Sequence, residues 1–107
     1  MISLEQESTT ILIAVPEGVP RELVANYLER CRAGLPALKA AICENRHAEA
    51  RVLGHRMKGT GAPYGFSWLT EIGAQIERAA TDQNNAALHE YFAALVEYLG
   101  RVEILSD

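Results

Sequence analysis

Residues 46–80 read RHAEARVLGHRMKGTGAPYGFSWLTEIGAQIERAA, and the spacing of their apolar side chains decides what the chain can become. Ala50, Leu53, Met57 and Thr60 recur every three or four residues, which is one face of a helix. They predict a helix from about Arg46 to Ala62, ended by Gly61 and Pro63. Phe66, Leu69, Ile72, Ile76 and Ala80 form the next stripe, closed by the polar stretch from Thr81 to Asn85.

Working outward, the upstream stripe is Leu23, Val24, Tyr27, Leu28, Cys31, Leu35, Leu38 and Ile42, opening after Pro20. Gly34 and Pro36 interrupt it. A proline removes one amide bond and presses on the preceding turn, so the spacing predicts a kink there or two abutting helices. Downstream, Leu88, Tyr91, Phe92, Leu95, Leu99 and Val102 give the last stripe. Four amphipathic helices on short loops predict an all-α, antiparallel, up-and-down four-helix bundle over residues 19–107, since each stripe must cover another. Residues 1–18 are set apart as an N-terminal segment. Its first ten residues, MISLEQESTT, are polar and expected to fray, while Ile11 to Val15 is an apolar run bounded by Pro16, Gly18 and Pro20. With no second strand candidate in view, an extended segment laid against the domain is expected rather than a paired strand.

Composition agrees with helix. Sixteen Ala and 12 Leu stand against 18 β-branched residues, and 49% of the 107 residues are apolar, enough for one core. Ten Lys and Arg against 14 Asp and Glu leave a net charge of −4, which argues against a nucleic-acid partner. No apolar run approaches the ~20 residues of a membrane span, and no Lys or Arg precedes Arg21, so no membrane partner and a cytoplasmic chain are expected. Cys31 and Cys43, read as parts of one helix about 18 Å apart, cannot bridge and are expected to be buried thiols. The scattered His47, His55 and His89 offer no metal scaffold.

One surface stands out. At about 100° per residue, His55 points roughly 160° away from the mean direction of the Leu53–Met57 face, toward water. Arg51, Lys58 and Gly59 share its side of the helix. An exposed imidazole between two cations and next to a position without a side chain suggests that something must approach closely. Gly54, Gly59 and Gly61 in one helix each cost about 1 kcal/mol relative to Ala, and only Gly61 is excused as a helix end. Trp68 and Tyr64 are read as packing residues that close the end of the bundle.

The stretch from His55 resembles the histidine-containing phosphotransfer (HPt) domain, whose pattern is roughly H-x-L-K-G-x-x-x-x-x-G. The chain matches it at His55, Met57, Lys58, Gly59 and Gly65, and LTEIGAQIE (69–77) resembles the helix beside the phosphoacceptor in that family. Gly54 departs from the Ala common there, and Ala74 stands where some members carry a second His. The resemblance implies that His55 accepts a phosphoryl group, that Glu77 orients its ring, and that Lys58 contacts phosphoryl oxygens. It further implies that Gly59, with Arg51 beside it, faces the docking partner. A hairpin turning around residues 63–66 puts His55 and Glu77 at the same height, but periodicity alone leaves Gln75 as an equal alternative to Glu77.

With an unperturbed pKa near 6.5, a solvent-facing imidazole keeps a free lone pair at neutral pH that can attack phosphorus. The chain has no GxxxxGK[ST] loop and no carboxylate cluster for Mg²⁺, so ATP and the metal are expected to come with the partner, a response-regulator receiver domain or a histidine kinase. A cofactor-free, monomeric phosphoryl carrier is expected, rather than an autonomous kinase. It is read as free-standing, with a fragment of a larger kinase as the alternative. The rival function is a four-helix adaptor that docks on receivers or kinases without carrying phosphate.

Overall fold

The computed structural model describes residues 9–105. In chain order these form strand β1 (Ile11–Ile13), helices α1 (Arg21–Ala33), α2 (Leu35–Cys43), α3 (His47–Thr60), α4 (Ser67–Thr81) and α5 (Asn85–Arg101), and strand β2 (Val102–Ile104), with a 3₁₀ turn at Ala62–Tyr64 between α3 and α4. The described residues are mostly helical, as the stripes require. The expected fraying falls largely on residues 1–8, outside the described residues.

At the Gly34–Pro36 interruption the chain makes two abutting helices. Gly34 ends α1 with its N–H on the carbonyls of Arg30 and Cys31, and Pro36 sits in the first turn of α2, where its missing N–H has no helical partner to lose. α2 packs on α3 and α5, α3 on α4, and α4 on α5. The core they enclose holds Val24, Leu28, Leu38, Ile42, Phe66, Leu69, Ile76, Leu88, Leu95 and Leu99, all buried. Tyr64 stacks on Tyr27 with ring centroids 4.5 Å apart, and Trp68 on Tyr98 at 4.3 Å, so both aromatics are packing residues.

Three expectations are corrected. The Ile11–Ile13 segment is a paired strand: it lies parallel to β2, Ile11 opposite Val102 and Ile13 opposite Ile104, and Leu105 N–H donates to the Ile13 carbonyl at 2.8 Å. Val102, counted in the last helical stripe, instead leaves α5 in extended conformation (φ −77°, ψ 138°) and is fully buried as the first residue of β2. Three alternating residues are too short to register as a strand when the first also completes a helical spacing. Arginines hold this exit in place: Arg32 donates to the carbonyls of Leu99 and Val102, and Arg21 to those of Leu105 and Ile104. The third correction concerns the cysteines. They lie in different helices, and Cys43, the last residue of α2, is exposed, while Cys31 is half-buried.

Candidate functional site

The helical hairpin α3–α4 positions the site. α3 meets α4 through glycines rather than through the Leu53–Met57 face. A Cβ on Gly54 would stand 2.8 Å from the Glu77 nitrogen and 2.9 Å from the Gly73 carbonyl oxygen. One on Gly73 would stand 2.6 Å from the Lys58 nitrogen, and one on Gly61 2.7 Å from the Thr70 nitrogen. No real Cβ fits at such distances, so the two backbones are in direct contact along this seam. The core side of α3 is accordingly Ala50 and Gly54, both buried; Leu53 and Met57 are only partly covered and Thr60 is exposed, which corrects the face assigned from periodicity.

Thr70 ties the end of the hairpin. Its hydroxyl accepts from the Ala62 N–H at 2.8 Å and donates to the Lys58 carbonyl at 3.0 Å, joining the last turn of α3 to the first turn of α4. Gly65 then takes φ +96°, a left-handed conformation suited to glycine, where the chain turns into α4.

The close seam brings Glu77 to His55. His55 Nδ1 lies 3.0 Å from Glu77 Oε2, and because a carboxylate only accepts, the Nδ1–H donates. The His55 side chain is 64% exposed, while Glu77 is only 20% exposed, wedged beside Gly54. Glu77 Oε1 is 3.0 Å from Lys58 Nζ, so one carboxylate holds both the imidazole and the ammonium. The Lys58 hydrogen bond, followed by that of His55, lowers the Glu77 pKa below its ordinary value. The carboxylate is therefore ionised throughout the neutral range. Between Glu77 and Gln75, the contact falls to Glu77; Gln75 is exposed.

Gly59, one turn beyond His55, faces open space: a Cβ built there meets nothing within 4 Å. Arg51 is exposed and has no hydrogen-bond or ion-pair partner among the described residues. Lys58, expected to contact phosphoryl oxygens, is ion-paired with Glu77 in this structure. His47 Nε2 is hydrogen-bonded to Asn85 Oδ1 at 2.7 Å, and His89 is exposed on α5. No group of three or more metal-ligating side chains occurs among the described residues, and no described helix is long and apolar enough to cross a membrane.

Sequence reasoning missed two contributors to this geometry, the Gly54–Gly73 contact and the Thr70 bridge. Gly54 and Gly61, seven residues apart, mark one side of α3 as a small-residue stripe, and that was the available signal. Thr70 gave none, because its role depends on the turn that precedes it. No protein-family model matches the chain, and neither a curated protein nor a solved structure is significantly similar to it.

Proposed function

We propose that the chain is a histidine phosphotransfer protein, an antiparallel four-helix bundle in which His55 takes a phosphoryl group from an aspartyl phosphate of a receiver domain and returns it to another. The observation that carries this reading is the His55–Glu77 hydrogen bond, made by a ring whose remaining edge stands in solvent beside the open ground over Gly59.

The chemistry follows from where the proton sits. With Nδ1 carrying hydrogen toward Glu77, Nε2 presents its lone pair outward. Nε2 attacks phosphorus, the N–P bond forms, and the P–O bond to the aspartyl carboxylate breaks, so the carboxylate leaves with the electron pair. The imidazole becomes a phosphorylated imidazolium that keeps its Nδ1 proton, and Glu77, ionised at neutral pH, balances the new positive charge. The Lys58 end of its ion pair is exposed and screened by solvent, so Lys58 exchanges Glu77 for phosphoryl oxygens at little cost. Arg51 adds positive field on the same side. Gly59 gives the partner room to bring its phosphate within reach, and the Mg²⁺ such transfers use belongs to the receiver.

The test is to incubate the protein with a phosphorylated receiver and map acid-labile, base-stable label. Label on His55, absent from His55→Gln with unchanged far-UV circular dichroism, is expected. Label that persists in His55→Gln, or no transfer to the wild-type chain from any receiver, refutes the assignment; docking on a receiver without label would favour the adaptor.

A further inference from the structure

Opposite the seam, on the flank of α3 that carries Arg56 and Thr60, a cleft of about 400 Å³ opens between α1, α2 and α3. That volume falls within the range of small-molecule sites. Its floor is apolar: Leu38 and Leu95 are buried, and no described buried side-chain nitrogen or oxygen lacks a hydrogen bond. Leu35, Leu53 and Met57 line its walls and stay partly open to solvent, though the sequence pattern would have placed Leu53 and Met57 in the core. One wall is fixed, because Tyr27 stacks on Tyr64 and its hydroxyl is hydrogen-bonded to Thr60 Oγ1 at 2.9 Å.

The charge around this cleft is one-sided. Arg30 and Arg56 line it and are exposed, and no Asp or Glu does. Among the other described arginines, Arg21 and Arg32 donate to backbone carbonyls, Arg46 to Glu44 and Glu49, and Arg101 to Glu97, while Arg51 and Arg78 are as unpartnered as Arg30 and Arg56 but do not line the cleft. Arg30 and Arg56 have neither a carbonyl nor a carboxylate partner among the described residues. In a chain of net charge −4, two uncommitted guanidinium groups over an apolar slot complement a ligand with an oily body and an anionic end.

We propose that this cleft binds a medium-chain alkyl carboxylate, its chain on Leu38, Leu53 and Leu95 and its carboxylate held by Arg30 and Arg56. The site stands apart from the phosphotransfer reading, since it uses neither His55 nor Glu77, and the failure of one leaves the other intact.

The test is a titration of the full chain with decanoate, read from the methyl resonances of Leu38, Leu53 and Leu95, beside decanol and decyltrimethylammonium. Saturable shifts at these methyls are expected at or below about millimolar decanoate, with affinity roughly tenfold above that for decanol and no binding of the cationic analogue. The double variant Arg30→Gln/Arg56→Gln alters two exposed side chains, so its circular dichroism should be unchanged while decanoate affinity falls about tenfold, to the level of decanol. Three results overturn the proposal: no saturation with decanoate, equal affinity for decanol, or an unchanged affinity in the double variant.

Discussion

Gly54 and Gly59 are five residues apart on one helix and do opposite things. At Gly54 the missing side chain is filled by another helix: the backbone of α4 occupies the place a Cβ would take, and that approach carries Glu77 to the imidazole of His55. At Gly59 the missing side chain leaves empty space. Both glycines cost helix stability to the same degree in isolation, about 1 kcal/mol relative to Ala. What separates them is which side of α3 they face. The seam side builds the site and the open side leaves it accessible, so glycine content alone says nothing about which role a position has.

The largest effect is expected on the seam. Gly54→Val or Gly73→Val forces side-chain atoms into backbone that has no room to yield, so the hairpin must separate. A loss of about 3 kcal/mol is expected, or roughly 10–20 °C in the midpoint of thermal unfolding for a chain of this size. A variant as stable as the wild type would mean that the seam is not closed as described.

A smaller effect is expected where the seam meets solvent. Lys58→Ala should slow phosphotransfer about tenfold, by removing one charge-assisted contact that is partly screened. It should also raise the Glu77 titration toward the ordinary 4.5, because the Lys58 hydrogen bond is the main cause of the depression. The sign for stability follows. A carboxylate whose folded pKa is lowered contributes stability that is complete above about 4.5 and is lost as pH falls through its lowered folded value. Acid unfolding of Lys58→Ala should therefore be less steep than that of the wild type below about 4.5. An unchanged Glu77 titration would show that Lys58 does not hold the carboxylate in solution.

The smallest effect on folding, and of opposite sign, is expected on the open side. Gly59→Ala should stabilise by about 0.4–1 kcal/mol, since it meets nothing in the folded state and restricts the unfolded chain. Gly59→Gln should keep at least wild-type thermal stability while slowing transfer from a receiver. If Gly59→Gln instead destabilises the fold, the two glycines are not opposites and the clearance argument fails.

How much of this was legible depended on whether a residue's role is local. The helices from Arg21 to Thr81 follow from three- and four-residue spacing, and Gly34 with Pro36 marked the joint between α1 and α2, because helix termination is a property of the chain itself. His55, Lys58 and Gly59 could be placed on one side of α3 for the same reason. Glu77 could not be chosen over Gln75 from periodicity, since the choice turns on the rotation and closeness of α4, which Gly54 and Gly73 set together. The pairing of β1 with β2 joins residues about ninety positions apart, and Val102 also continued a helical stripe. Leu53 and Met57 carried the periodicity of core residues, yet they line a cleft, because α3 turns its glycines rather than its large side chains toward α4.

The most direct test of the central claim, that the hairpin holds His55 with Nδ1–H on Glu77 and Nε2 outward, is long-range proton–nitrogen NMR of the imidazole before and after phosphorylation by a receiver. His55 is expected to carry its proton on Nδ1 in the neutral ring and to acquire phosphorus on Nε2, with Nδ1 still protonated. A neutral ring protonated on Nε2, or a phosphoryl group on Nδ1 or on another histidine, would contradict it.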